Sequence, residues 1–152
     1  MNQEKFVYVS YIASTPEKVF DAITTPELAR QYWGHENVSD WNVGSTWQHV
    51  RANDERTVQL IGKVIEHTPP TRLVISWANA SQTADPASHS RVTFEIEPYD
   101  TMVRLTVTHD ELEAGGGMAT GIKKGWPIVL SSMKSFLETG RGMDVFAKPK
   151  SV

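Results

Sequence analysis

Thr120 to Gly140, reading TGIKKGWPIVLSSMKSFLETG, constrains the fold more than any other stretch of this chain. Ile122, Trp126, Val129, Leu130, Met133, Phe136 and Leu137 recur at the i, i+3, i+4, i+7 spacing of one helix face. Lys123, Lys124, Ser131, Lys134, Ser135 and Glu138 fall on the other face, and Gly140 suits the left-handed conformation that closes a helix. Pro127 interrupts the pattern, because inside a helix it removes one hydrogen bond and costs ~3 kcal/mol. Either the helix bends there, or a first turn around Ile122 is separate and the main helix starts at Trp126. The bend is preferred, since Ile122 and Trp126 share the apolar stripe across the proline. A stripe this broad needs an apolar, concave partner.

The preceding residues read as the sheet that receives it. Phe6 to Ile12 (FVYVSYI) is β-branched and aromatic, as a strand requires. Thr15, Pro16 and Glu17 then form a helix-start signal, followed by Val19, Phe20 and Ile23 on one face. Thr25, Pro26 and Glu27 repeat the signal for a second short helix carrying Leu28, Ala29, Tyr32 and Trp33, which Gly34 ends. Antiparallel strands are predicted over Val38–Val43, Thr46–Arg51, Val58–His67 and Arg72–Trp77, with a turn at Asn53-Asp54 and a stop at Pro69-Pro70. Gly62 suggests a bulge or bend, and the inward phase of Val58–His67 stays open. Ala78 to His89 reads as a loop. A turn at Tyr99-Asp100 pairs Phe94 with Leu105 and Val92 with Val107 on one face, and Glu95 with Arg104 and Thr93 with Thr106 on the other. That pattern describes a half-buried sheet, apolar inside and polar outside. Glu111 to Met118, with Gly115, Gly116 and Gly117, is the expected connection into the helix.

Composition limits what such a chain can do. Its 152 residues suit one domain over 1–152, with 141–152 as a loosely ordered tail. A net charge of −3, from 15 basic and 18 acidic residues, offers no field for nucleic acid or an anionic membrane. Without cysteine there are no disulfides, thiol nucleophiles or thiolate metal sites. The opening MNQEKF lacks the apolar core of a signal peptide and no apolar run approaches ~20 residues, so a cytoplasmic protein without membrane association is expected.

The order is thus strand, two short helices, consecutive antiparallel strands and a long C-terminal helix. This α+β arrangement is similar to the helix-grip fold of the START-like, or SRPBCC, superfamily, in which a curved sheet wraps the last helix. Tyr11-Ile12-Ala13 before Thr15-Pro16-Glu17-Lys18-Val19-Phe20-Asp21-Ala22 resembles the opening of the Aha-type family, homologues of the C-terminal domain of the heat-shock protein ATPase activator. Tyr32-Trp33, Gly62-Lys63-Val64, Pro69-Pro70 and Leu73-Val74-Ile75-Ser76-Trp77 continue the resemblance. So do Val92-Thr93-Phe94, Leu105-Thr106-Val107-Thr108-His109, Gly125-Trp126 and Leu137-Glu138-Thr139-Gly140. It runs in order from about Tyr11 to Gly140, departing where the usual Gly-Gly before Thr46 is Gly44-Ser45. The resemblance implies a cavity between sheet and helix and supplies no catalytic motif.

Five histidines, at 35, 49, 67, 89 and 109, are scattered without metal-ligand spacing, so no metal and no cofactor is expected. His109 continues the inward series Leu105, Val107 and is the one nominee for a ligand contact or a general acid or base. Five tryptophans, Trp33, Trp41, Trp47, Trp77 and Trp126, sit at element ends or inward positions. Core filling explains each singly. As a group they indicate an aromatic-lined pocket. The expected ligand-binding set is Trp33, Trp47, Trp77, Phe94, Leu105, Val107, His109, Trp126, Leu130 and Met133. Gly115 to Gly117 lacks a phosphate-loop context and reads as a hinge or lid, Ser131-Ser132 as helix surface, and Arg91 with Glu66 as possible holders of a polar ligand end. Three functions fit: binding of a small apolar, ring-containing molecule; a cyclase or hydratase reaction in the same cavity; or a co-chaperone-like interaction with a protein partner. A homodimer is compatible with all three.

Overall fold

The structure is a computed structural model and describes residues 3–53, 55–85 and 88–143. Strand β1 (Gln3–Ile12) is followed by helices α1 (Pro16–Thr24) and α2 (Pro26–Trp33). Then come β2 (His35–Val38), β3 (Thr46–Arg51), β4 (Val58–Thr68), β5 (Arg72–Asn79), a 3-10 turn (Ala80–Gln82), β6 (Ser90–Tyr99) and β7 (Met102–Glu113). Helix α3 (Gly117–Thr139) completes the α+β helix-grip fold. The strands form one antiparallel sheet in the order β1-β7-β6-β5-β4-β3-β2, curved around α3.

Local chemistry sets the helix ends. The Thr15 hydroxyl accepts from the Lys18 N–H at 3.3 Å, Pro16 takes the first helical position, and Glu17 lies in the positive first turn. Thr25 makes no side-chain cap to α2, whose start rests on Pro26, and Gly34 at φ 70° ends it in the left-handed conformation. Helix α3 is longer than expected. Strand β7 continues to Glu113 and the helix begins at Gly117, so the connection shrinks to Ala114–Gly116. Pro127 lies inside one continuous helix, with no separate first turn.

The predicted strand Val38–Val43 is the clearest correction. The strand ends at Val38, because side chains capture the backbone that would have paired. The Ser39 hydroxyl accepts from the Trp41 N–H at 3.0 Å, and Asp40 Oδ1 accepts from the Asn42 N–H at 2.9 Å. Trp41 adopts φ 63°, which no strand tolerates. Strand β4 bulges at Ile65, between Val64 and Glu66, against β5 and at Gln59 against β3, and not at Gly62. The Ile65 bulge resolves the open phase: Leu60 and Val64 face the helix before it, and His67 faces Phe20 after it, with ring centroids 5.5 Å apart. Gly62 serves a different purpose. A Cβ there would strike the Ser76 carbonyl and the Trp47 indole nitrogen.

The β6–β7 hairpin keeps the expected faces in a different register. Its turn is Asp100-Thr101, with Asp100 at φ 56°, so Phe94 pairs with Val107, Ile96 with Leu105, and Val92 with His109. A slide of two residues preserves which side each residue faces, and the hydrophobic pattern alone could not detect it. Arg104 consequently meets Glu97 at 3.2 Å, while Glu95 meets Arg72 at 3.1 Å. Ser132 is another correction: it is fully buried, its hydroxyl donating to the Tyr32 carbonyl at 2.6 Å. Arg91 and Glu66 lie on the outer face, paired with Asp110 at 3.0 Å and Arg72 at 3.1 Å, away from the helix.

Ile12, Leu73, Val92, Phe94, Ile96, Val103, Leu105 and Val107 form the inner sheet surface that meets Ile122, Trp126, Val129, Leu130 and Met133 of α3. Each such side chain, once buried, contributes roughly 1.5–3 kcal/mol. Residues 141–143 dock beside α2 and α3, where the Met143 N–H donates to the Ser132 hydroxyl at 2.8 Å. The rest of the expected tail, 144–152, lies outside the described residues, as does Asp54 of the expected Asn53-Asp54 turn.

Candidate ligand-binding cleft

Between β4–β5 and the first half of α3 the packing opens. An apolar pocket of about 180 Å³ is lined by Trp33, His35, His49, Gln59, Leu60, Trp77, Gly121, Ile122, Gly125, Trp126 and Val129. It shares Leu60, Trp77, Gly121 and Ile122 with a wider depression of about 590 Å³, where Asn79, Gln82, Asp85, Ser88 and Glu113 add a polar rim. Gly121 and Gly125 stand one helical turn apart on the face towards the cleft. An added Cβ at either would meet nothing within 4 Å, so packing does not demand glycine there. Glycine in a helix interior costs ~1 kcal/mol relative to alanine. Two such residues leave the helix backbone bare beside the opening.

The inner wall is a layer of rings. Trp77 lies with its centroid 5.4 Å from those of Trp47, His109 and Trp126. Trp33 packs 5.7 Å from Trp126 and 4.6 Å from His49. His35 and His49 stack face to face at 4.4 Å with an interplanar angle of 4°. Burial holds both imidazoles below the usual histidine range, and the neighbouring His35 adds to the effect on His49. His49 Nδ1 lies 2.7 Å from Asn37 Oδ1, while the Asn37 amide nitrogen donates to the Ile23 carbonyl. The proton of His49 is therefore on Nδ1. His35 is fixed by the Trp33 carbonyl at 3.1 Å and the Gln59 amide at 3.2 Å.

His109 is buried behind this wall with both ring nitrogens engaged. The Trp126 indole N–H donates to Nδ1 at 3.0 Å, and Nε2 lies 2.8 Å from the Ser90 hydroxyl, which donates to the Trp77 carbonyl. Nδ1 must be an acceptor, so the neutral ring carries its proton on Nε2. Burial pushes its pKa down to about 4, Asp110 opposing only in part. His109 thus holds Trp126 and Ser90 in place as a neutral ring at pH 7.

Of the residues expected to bind ligand, Trp33, Trp77 and Trp126 line the cavity. Trp47 backs Trp77 and donates to the Ser76 carbonyl at 2.7 Å, and Phe94 meets Trp126 edge-on at 5.9 Å. Leu105, Val107, Leu130 and Met133 are fully buried deeper in the core, outside the cavity lining. His35, His49, Gln59, Leu60, Gly121 and Gly125 escaped the sequence reading. The glycines carried a legible signal, two helix-weakening residues at i, i+4 on a helix rich in good formers. The histidines carried none, because their meeting depends on the β2–β3 pairing that brings Asn37 opposite His49. Among the described residues no three His, Asp or Glu side chains gather as a metal would require, and no helix is long and apolar enough to cross a membrane.

A curved sheet gripping a long terminal helix, with a cleft between them, defines a protein of the START-like class. Residues 13–138 match the family described as activator of Hsp90 ATPase homolog 1-like protein, and the chain belongs to that family. Similar solved structures include the Aha1 dimer from Colwellia psychrerythraea, 22% identical with TM-score 0.76, covering 91% of this chain and 99% of that one. A protein from Mesorhizobium loti is 28% identical with TM-score 0.74, over 88% and 96% of the two chains. An HSP90 activator from Plasmodium falciparum is 23% identical with TM-score 0.71, over 88% and 95%. No curated protein sequence matches the chain.

Proposed function

We propose that this protein binds a small apolar, ring-containing molecule in the cleft between its sheet and the first half of α3. The observation that carries the reading is the ring-lined pocket, walled by Trp33, Trp77, Trp126, Ile122 and Val129 and left open by Gly121 and Gly125. Ring-lined concavities with few polar groups are the usual form of a small-molecule site. A cavity near 150 Å³ holds a benzene-sized ring; here about 180 Å³ is available, continuing into a wider rim. Binding needs only this space; a reaction would also need an acid or base at the wall, where His109 is committed at both nitrogens and His49 keeps Nε2 unengaged. Binding is therefore the favoured reading over a cyclase or hydratase reaction. A naphthalene-based probe should perturb the indole N–H resonances of Trp33, Trp77 and Trp126 saturably, with little dependence on salt. Gly125→Leu should abolish that response in a protein that still folds. Saturable binding undiminished by Gly125→Leu would place the site elsewhere.

A second reading rests on the outer face. Val7, Val9 and Tyr11 of edge strand β1 are exposed, and Tyr11 meets Tyr99 at 5.1 Å, forming an apolar strip away from the cleft. Such a strip suits a second copy of the chain or a chaperone partner, in keeping with the family's name and the Colwellia dimer. Sedimentation of the wild type and of Val9→Lys distinguishes this reading: a monomer in both, with no binding to an Hsp90-type chaperone, would remove it.

A further inference from the structure

The outer face of the sheet carries a groove of about 390 Å³ that shares no residue with the cleft. It runs across β4 to β7, starting where the β4 bulge leaves both Ile65 and Glu66 on this side. Its floor is Val74, Thr93 and Thr108, side by side on three neighbouring strands. Thr93 is only 9% exposed, yet its hydroxyl has no partner among the described residues. Buried hydroxyls are mostly paired. Among the described residues, the unpaired side-chain polar atoms closed to water belong to Ser14 and Trp77, so the Thr93 hydroxyl opens into the groove. The Thr108 hydroxyl opposite it is unpartnered as well.

The walls are charged and already matched. Arg91 meets Asp110 at 3.0 Å and Glu111 at 3.3 Å, and Arg72 meets Glu66 and Glu95, each at 3.1 Å. Each guanidinium therefore faces two carboxylates, and no lysine lines the groove. Local charge is negative, on a chain of net charge −3. Glu95 uses Oε2 on Arg72 and keeps Oε1 without a partner, two residues along from Thr93 on the same face. The groups left over are acceptors. A primary ammonium answers them with three donors, no acceptor and the opposite charge. Its alkyl stem would lie along Ile65 and Val74, as a long charged side chain covers apolar surface.

We propose that this groove is a second binding site, for a small aliphatic primary amine in its ammonium form. The ammonium donates to Glu95 Oε1 and to the Thr93 hydroxyl, while Arg72 and Arg91 hold the walls. The site is independent of what the cleft binds.

Four probes test it on the ¹⁵N-labelled full chain at pH 7 and low salt: pentylamine, pentyltrimethylammonium, pentanoate and N-acetyl-lysine methylamide. Pentylamine should shift the amide resonances of Thr93, Glu95 and Thr108 saturably and leave the indole resonances of Trp33, Trp77 and Trp126 unmoved. Added salt should weaken it, because the groove is open to solvent. Pentyltrimethylammonium keeps the charge and the stem but has no N–H, so it should bind about tenfold more weakly. Thr93→Val keeps the branched shape that suits a strand and should still fold. It should weaken pentylamine about fivefold, and Glu95→Gln about tenfold. Equal binding of pentylamine and pentyltrimethylammonium would overturn the proposal, leaving diffuse attraction to an acidic surface. So would pentylamine binding undiminished in both variants, or no saturable shift at Thr93. Tighter binding of pentanoate would make the guanidiniums the site and overturn it too. N-acetyl-lysine methylamide binding more tightly than pentylamine would overturn the small-molecule assignment and give the groove to a lysine of a protein partner.

Discussion

The two halves of α3 meet the sheet in opposite ways. Around Leu130, Met133 and Phe136 the interface is closed. Ile12, Ile96 and Leu105 are fully buried, the Tyr32 hydroxyl donates to the Ala22 carbonyl at 3.0 Å, and Glu138 accepts from the Ala13 N–H at 2.8 Å, while the neighbouring Ser14 hydroxyl has no partner among the described residues. Around Gly121 to Trp126 the helix withdraws its side chains. The facing wall is made of indoles and imidazoles, and one buried N–H stays unpaired. Both halves carry the same apolar stripe. What separates them is the size of the residues between the stripe positions and the ring content of the opposing strands. The closed half supplies stability, and the open half gives up some of it to keep a space.

That contrast is most exposed to failure through truncation. Leu105→Ala, at the closed end, should cost about 3–5 kcal/mol through lost burial and a cavity. Leu60→Ala, half-buried on the cleft wall, should cost about 1 kcal/mol, because it enlarges an existing opening. Equal losses in urea titrations would mean that both ends are packed alike.

The next effect is pH dependence, since the three buried histidines all lie at the open end. The unfolded chain binds a proton at each imidazole below about pH 6.5, whereas folded His109 resists until about 4. The unfolded state therefore holds more protons in this window. Stability is fully present above pH 6.5 and declines as the pH falls towards 4, by about 3 kcal/mol from His109 alone. His35 and His49, also lowered, act in the same direction. His109→Gln should flatten part of this slope while leaving the loss below pH 4.5 that Glu4, Glu36 and Glu138 contribute. An unchanged slope between pH 6.5 and 4.5 would show that His109 titrates normally.

Two smaller effects sharpen the comparison within the wall. Trp47→Phe should cost about 1–3 kcal/mol, because it strands the Ser76 carbonyl behind Gly62. Trp77→Phe, which discards an unpartnered donor, should leave the denaturation midpoint unchanged or slightly raised. Similar losses for the two would deny that Trp77 differs from its neighbour. Smallest of all, Gly125→Ala should raise stability by up to ~1 kcal/mol through helix propensity while narrowing the cavity. A loss of stability there would reveal a packing role for the bare backbone.

Much of this architecture was legible before any coordinates. The stripe from Ile122 to Leu137, the Thr-Pro-Glu signals at Thr15 and Thr25, and the alternation through Val92–Ile96 and Val103–Val107 are local patterns. Helix and strand periodicity report them directly, and they suffice for the α+β helix-grip order. Face assignment in the β6–β7 hairpin was equally secure, because parity alone sets a residue's side of an unbroken strand, whereas the phase of Val58–His67 stayed open until the bulge at Ile65 was seen. Three indoles of the cleft, Trp33, Trp77 and Trp126, could be nominated for the same reason. Where local side chains compete for the backbone, as Ser39 and Asp40 do, hydrophobic pattern misled and a strand was placed over a turn.

The rest is decided by pairing between distant segments. Parity is blind to a slide of two residues, so Phe94 was set opposite Leu105 and only the Asp100-Thr101 turn put it opposite Val107. His35 and His49 become a stacked pair because β2 and β3 align, and His109 becomes a neutral brace because Ser90 and Trp126 arrive from other elements. Whether an indole N–H is satisfied is likewise a matter of what lies across from it: Trp47 has the Ser76 carbonyl and Trp77 has no acceptor among the described residues. A hydrogen bond needs its partner within about 3 Å. Sequence orders residues along one chain and is silent on which of them come that close.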